Sequence, residues 1–71
     1  MTSEQLDNWF MYHAPEDEET KARYESIRKA GRAMAGVILA FTPASADQTA
    51  AVRLIREAVF YANAAIACDG M

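Results

Sequence analysis

Two long heptad seams, separated by a short loop that contains a proline, constrain the fold of this chain most strongly. In each seam the positions alternate at spacings of three and four residues, which is typical of a helix that packs along one stripe. The first seam consists of Tyr24, Ile27, Gly31, Met34, Ile38 and Phe41, and the second of Gln48, Val52, Ile55, Val59, Ala62 and Ile66. With only about four residues between them, the two helices must fold back antiparallel as a hairpin.

A shorter helix is predicted before the hairpin. Thr2 and Gln5 have the spacing of a capping box, and Leu6, Trp9 and Phe10 follow on one helical face. The chain has 71 residues, which limits it to a single domain. The prediction is an all-α domain over residues 1–71, with helices at about 3–12, 17–41 and 46–68.

The last helix predicts contacts between copies of the chain. Besides its seam it carries a second apolar stripe, formed by Leu54, Ala58, Tyr61 and Ala65. A helix that is apolar over most of its circumference is buried on most sides. One partner helix and a short arm cannot surround it, so we expect a homo-oligomer built on this helix.

Composition and charge exclude several classes of protein. The chain is 52% hydrophobic, which is too apolar for a disordered segment. Its net charge of −3 divides into −6 over residues 1–19 and +3 over residues 20–71. Because a long nucleic acid requires a continuous basic face, we expect no DNA binding. A small anionic ligand needs only two or three local cations.

The sequence also predicts a cytoplasmic protein without catalytic chemistry. It has no signal peptide, and its longest apolar stretch, residues 33–41, is about half the length of a membrane helix. The single cysteine, Cys68, excludes an internal disulfide. One histidine, His13, cannot build a zinc site with one cysteine, and no second histidine is present to activate a nucleophile. We expect neither a metal, a cofactor nor an enzyme.

The candidate binding residues carry aromatic, imidazole or guanidinium side chains. Trp9, Phe10, Tyr12 and His13 form what we call the aromatic cluster. Trp9 and Phe10 are typical of an arm that packs on the hairpin, whereas Tyr12 and His13 are placed to stack on a nucleobase.

Arg28 and Arg32 share a helical face, which suits a phosphate and equally suits pairing with Glu25. Arg53 and Arg56 flank the second seam and are most simply solvated or interface residues. Asn63 lies among alanines of the last helix, where its amide has three possible roles: capping a backbone group, fixing the oligomer register, or reading a ligand.

Three strings in combination resemble a known family. They are Trp9-Phe10-x-Tyr12-His13-x-Pro15, Arg23-Tyr24-Glu25-x-Ile27-Arg28 and Ala62-Asn63-Ala64-Ala65-Ile66-Ala67, with Pro43, Ser45 and Gln48 in the loop between the last two. The pattern, over about residues 8–68, is similar to the small bacteriophage anti-CBASS proteins that act as cyclic-nucleotide sponges. Their helical hairpin is shared with one anti-Thoeris sponge family.

The resemblance implies a hexamer that binds cyclic dinucleotides between protomers and, in many members, cyclic trinucleotides at separate pockets. Such a sponge sequesters the messenger in the infected bacterial host without cleaving it, and so blocks CBASS-type signalling. By the same resemblance Tyr12 packs on a base and Arg28 meets a phosphate, with His13 and Arg32 as further candidates.

A second ligand site is less well supported by the family pattern. Cys68 stands where many relatives carry a basic residue, which leaves trinucleotide binding open, and Arg53 or Arg56 are the candidate replacements. The alternative to a sponge is a structural or regulatory hairpin that binds a host protein through its aromatic N-terminal arm.

Overall fold

The computed structural model describes residues 2–10 and 17–69, which form three helices. Their bounds are α1 Ser3–Phe10, α2 Glu18–Phe41 and α3 Ala46–Ala67. Helices α2 and α3 pack against each other as an antiparallel hairpin, which confirms the predicted all-α fold. Tyr12 and His13 lie outside the described residues.

Local hydrogen bonds determine where the first two helices begin. At α1 the Thr2 backbone N–H donates to Gln5 Oε1 at 2.8 Å, and the Gln5 N–H donates to Thr2 Oγ1 at 3.1 Å. This reciprocal pair is the predicted capping box. At α2 the Thr20 N–H donates to Asp17 Oδ1 at 2.8 Å. Asp17 is therefore the residue that caps α2, and the acidic first turn follows it.

The cap at Asp17 depends on the charge of its carboxylate. The backbone hydrogen bond from Thr20 is the main reason that the pKa of Asp17 is lowered. Because folding lowers this pKa, the contact contributes stability above the ordinary aspartate pKa of about 3.9. That contribution is lost as the pH falls through the lowered pKa.

Side chains in the loop at residues 42–45 join the end of α2 to the start of α3. Thr42 Oγ1 donates to the Ile38 carbonyl at 2.6 Å, and the Gln48 N–H donates to Ser45 Oγ at 3.1 Å. The Gln48 side chain does not close a second capping box. Its Nε2 instead donates to the Thr42 carbonyl at 3.1 Å, which ties α3 directly to the end of α2.

The two heptad seams meet most closely at Gly31. A Cβ atom added to Gly31 would lie 2.5 Å from Val59 Cγ2, a distance that real Cβ atoms essentially never show. Every position of the α3 seam is half-buried in this contact, whereas Met34 and Phe41 of the α2 seam are 58% and 84% exposed. The helices thus pack closely around Gly31 and less completely toward the loop.

The hairpin has no enclosed interior of its own. Among residues 2–10 and 17–69 no side chain is fully buried. Along its shortest principal axis the fold extends only 15 Å, against 44 Å along the longest. Large apolar side chains are consequently exposed, including Leu54 at 63% and Tyr61 at 76%. In the described part of the chain no helix combines the length and apolar character needed to cross a bilayer.

Candidate ligand-binding grooves

Two grooves flank the contact between α2 and α3, and they differ in chemistry. They share Gly31, Ile55 and Val59, the residues through which the helices touch. On one side the groove has a volume of about 290 Å³ and is lined only by apolar residues. We call it the apolar groove; besides the shared residues it is formed by Ile27, Ala30, Met34, Ala58 and Ala62. Such a surface suits another apolar surface and offers nothing to a charged ligand.

The groove on the other side brings three arginines together. We call it the arginine groove, and its volume is also about 290 Å³. Arg28 and Arg32 enter it from α2, Arg56 and Phe60 enter it from α3, and its floor is apolar. Arg28 and Arg32 therefore do share a face, as the sequence predicted. The presence of Arg56 beside them depends on the helix pairing.

The guanidinium groups of the arginine groove lack carboxylate partners in the described structure. Within residues 2–10 and 17–69, no ion pair joins Arg28 or Arg32 to Glu25, so the pairing considered from the sequence is not formed there. Arg56 lies over the Phe60 ring, with its Cζ atom 5.2 Å from the ring centroid. This cation–π contact orients one guanidinium without neutralising it.

Arg53 lines a third groove, closer to the loop. This groove, again about 290 Å³, is formed by Leu39, Gln48, Thr49, Val52, Arg53 and Arg56. The two candidates for a second ligand site therefore share one groove. Arg56 differs from Arg53 because it also lines the groove that contains Arg28 and Arg32.

Asn63 has an enclosed and unpaired oxygen. Its Oδ1 atom is buried and accepts no hydrogen bond from the described residues. Leaving a buried acceptor unpaired costs about 1–3 kcal/mol. Among residues 2–10 and 17–69 this oxygen thus caps no backbone donor, and the roles in oligomer register or ligand recognition stay as predictions.

A pair of contacts fastens α1 to the end of α3. Asn8 Nδ2 donates to the Cys68 carbonyl at 3.2 Å, and Cys68 Sγ lies 3.8 Å from the Asn8 carbonyl as a weak donor. Phe10 is nevertheless 83% exposed and Trp9 54% exposed, so these rings are only partly covered by the hairpin. The packing of the aromatic arm on the hairpin stays a prediction, and the polar contacts of Asn8 with Cys68 are what fix the described end of α1 to α3.

The described residues contain no group of three or more histidine, cysteine or acidic side chains that could hold a metal ion. What the arrangement offers is a row of arginines above an apolar floor, with an aromatic ring at one side. Guanidinium groups bind phosphates through charge-assisted, often bidentate, hydrogen bonds. The chemistry of the groove is that of anion binding.

Comparison with known proteins supports both the hairpin fold and the family resemblance seen in the sequence. No curated protein and no solved structure gives a significant match to this chain. One family model, described as the Acb2/Tad1 hairpin domain, matches residues 2–67 and so includes all three helices. The chain belongs to the Acb2/Tad1 hairpin domain family.

Proposed function

We propose that this protein is a non-enzymatic phage sponge, which sequesters cyclic oligonucleotide messengers of the host and blocks CBASS-type antiviral signalling. The observation that carries the proposal is the family match over residues 2–67. The arginine groove supports it, because a cyclic nucleotide presents both phosphates and flat bases. Cyclic dinucleotides are the expected ligands, and cyclic trinucleotides are a further expectation.

The ligand residues are proposed on the same basis. Tyr12 stacks on a base, Arg28 binds a phosphate, and Arg32 and His13 complete the site. Arg28 and Arg32 line one groove, which supports their acting together. The loop-side groove that contains Arg53 is the candidate for a second ligand.

We infer that the functional unit is a homo-oligomer, with a hexamer as the expected state. The support is the unfilled apolar groove together with exposed Leu54 and Tyr61. A stable small chain needs more apolar burial than this thin hairpin provides. Asn63 stays a candidate for fixing the register of the oligomer or for recognising a ligand, because its side-chain oxygen has no hydrogen-bond partner among the described residues. Sedimentation equilibrium measures the number of chains directly: six chains support the proposal, and a monomer at micromolar concentration contradicts it.

A release assay tests the sponge function itself. Purified protein is mixed with cyclic GMP–AMP, unbound ligand is removed by filtration, and the protein is then denatured by heat. We expect the dinucleotide to be depleted from the filtrate and recovered intact after heating. Recovery of a linear product would show an enzyme, and no depletion of any cyclic di- or trinucleotide would contradict the sponge.

The exposed arm favours one alternative function. Phe10, at 83% exposed, presents an apolar ring on the arm, which suits a protein partner in the host. Under this alternative the hairpin is a structural or regulatory module. Its distinguishing result is a stoichiometric host protein co-purifying with a chain that binds no cyclic nucleotide.

A further inference from the structure

We propose that Arg56 belongs to the same ligand site as Arg28 and Arg32, so that one anion site spans both helices of the hairpin. Its ligand class is a cyclic oligonucleotide, whose phosphodiester groups meet the guanidinium groups of α2 and α3. This inference rests on the proposed sponge function and assigns Arg56 differently from the sequence pattern, which groups it with Arg53.

The position of Arg56 relative to the helix contact supports this assignment. Gly31 faces α3 directly. Arg28 and Arg32 lie on α2 beside Gly31, on the side of the helix contact that forms the arginine groove. On α3, Arg56 occupies the equivalent place beside Ile55. The three arginines are thus on one side of the hairpin, and the groove on the other side contains no charged residue. A ligand attracted by Arg28 therefore also meets Arg56.

Electrostatics favours an anion as the occupant. Three like charges around one groove repel one another, and no carboxylate of residues 2–10 or 17–69 forms an ion pair with them. All three arginines are exposed, so this repulsion is partly screened by water and salt. A ligand with two or three phosphates relieves the repulsion and gains charge-assisted hydrogen bonds at the same time.

Phe60 acts as a positioning residue for Arg56. Their spacing of four residues places both on one face of α3, and the guanidinium carbon lies 5.2 Å from the ring centroid. Stacking on the ring limits the rotamers of the long arginine side chain while leaving the N–H edge available. On α2, Gly36 leaves room for the Arg32 side chain, because a Cβ there would lie 3.2 Å from Arg32 Nη1.

The test compares charge-matched variants in binding to cyclic GMP–AMP and to a cyclic triadenylate, by calorimetry at fixed ionic strength. We expect Arg56→Gln to weaken the ligand that Arg28→Gln weakens, by about tenfold to a hundredfold. Lys29→Gln, which removes one charge from an exposed α2 position outside the grooves, is the control and retains wild-type affinity. For the double variant of Arg28 and Arg56, the fold-loss of affinity is expected to be smaller than the product of the two single fold-losses, because both residues bind one ligand.

Two substitutions at Phe60 test whether its aromatic ring is needed for ligand binding. Phe60→Leu keeps an apolar side chain but removes the ring, and we expect about a twofold to fivefold loss of affinity. Phe60→Tyr keeps the ring and is expected to keep the wild-type affinity, whereas a purely apolar packing role predicts that Phe60→Leu keeps it as well. Chain mass by sedimentation verifies that each variant keeps the wild-type assembly.

The outcomes separate this inference from the proposed function. If the wild-type protein binds a cyclic nucleotide and Arg56→Gln leaves that affinity within twofold, the shared site is wrong and the sponge stands. If Arg53→Gln and Arg56→Gln weaken only the trinucleotide, Arg56 belongs to a second site and the inference is overturned. A wild-type protein that binds no cyclic nucleotide overturns both.

Discussion

Replacement of Gly31 by alanine is expected to lower the free energy of unfolding by about 1–2 kcal/mol. The new Cβ would lie 2.5 Å from Val59 Cγ2, so the helices must separate or Val59 must leave its place. Overpacking of this kind typically costs about 1–3 kcal/mol, and part of that cost is offset by the higher helix propensity of alanine. Thermal unfolding followed by circular dichroism, at equal chain concentration, measures the difference.

Gly36 provides a matched control on the same helix. A Cβ there would meet only Arg32 Nη1, at 3.2 Å, and that flexible end can move aside. Gly36→Ala should therefore stabilise the hairpin by up to about 1 kcal/mol, through helix propensity alone. Truncation of Val59 to alanine in the Gly31→Ala background should recover part of the lost stability. A Gly31→Ala protein as stable as the Gly36→Ala protein would show that the close helix contact is wrong.

Alanine at Tyr12 or at Arg28 is expected to abolish retention of a cyclic dinucleotide in the release assay. Loss of a stacked base or of a charge-assisted phosphate contact each lowers affinity by up to about a hundredfold. Calorimetry on each variant measures the loss. The assembly should keep its mass in both variants, because Arg28 is exposed and lines a groove outside the apolar groove proposed for association.

Conservative variants separate contact chemistry from folding. Tyr12→Phe keeps the ring and should retain most of the affinity, whereas Arg28→Lys keeps the charge but loses the bidentate geometry. Lys29→Ala, adjacent in sequence and outside the grooves, should bind as wild type does. Unchanged dinucleotide binding in both Tyr12→Ala and Arg28→Ala would contradict the assigned site.

The helices and their ends were predictable because the signals are local. The capping box of Thr2 and Gln5 and the spacing of the two seams depend only on residues three or four apart. The close contact at Gly31 agrees with the position of this glycine in the α2 seam, where the absence of a side chain lets the helices approach. The seam spacing did not predict that Met34 and Phe41 of α2 stay exposed, at 58% and 84%.

The grouping of the arginines could be predicted only in part. Arg28 and Arg32 share a helical face by spacing, and Arg56 with Phe60 shows the same spacing on α3. Which face of α3 meets which face of α2 depends on the rotation of one helix against the other, and no local pattern specifies that rotation. The hydrogen bond from Asn8 to Cys68 joins residues that are 60 apart, so the sequence of neither segment alone predicts it.

The contacts between Asn8 and Cys68 couple the two ends of the described chain, so that local opening of one end affects the other. A helix leaves its last carbonyls without intrahelical donors, and at the end of α3 one of them accepts from a side chain of α1. Fraying of the final turn of α3 therefore breaks contacts that hold α1, and we expect the amides of the two segments to exchange with solvent at similar rates. Opening at the carboxyl end of α3 is transmitted in this way to α1, the helix that carries Trp9 and Phe10.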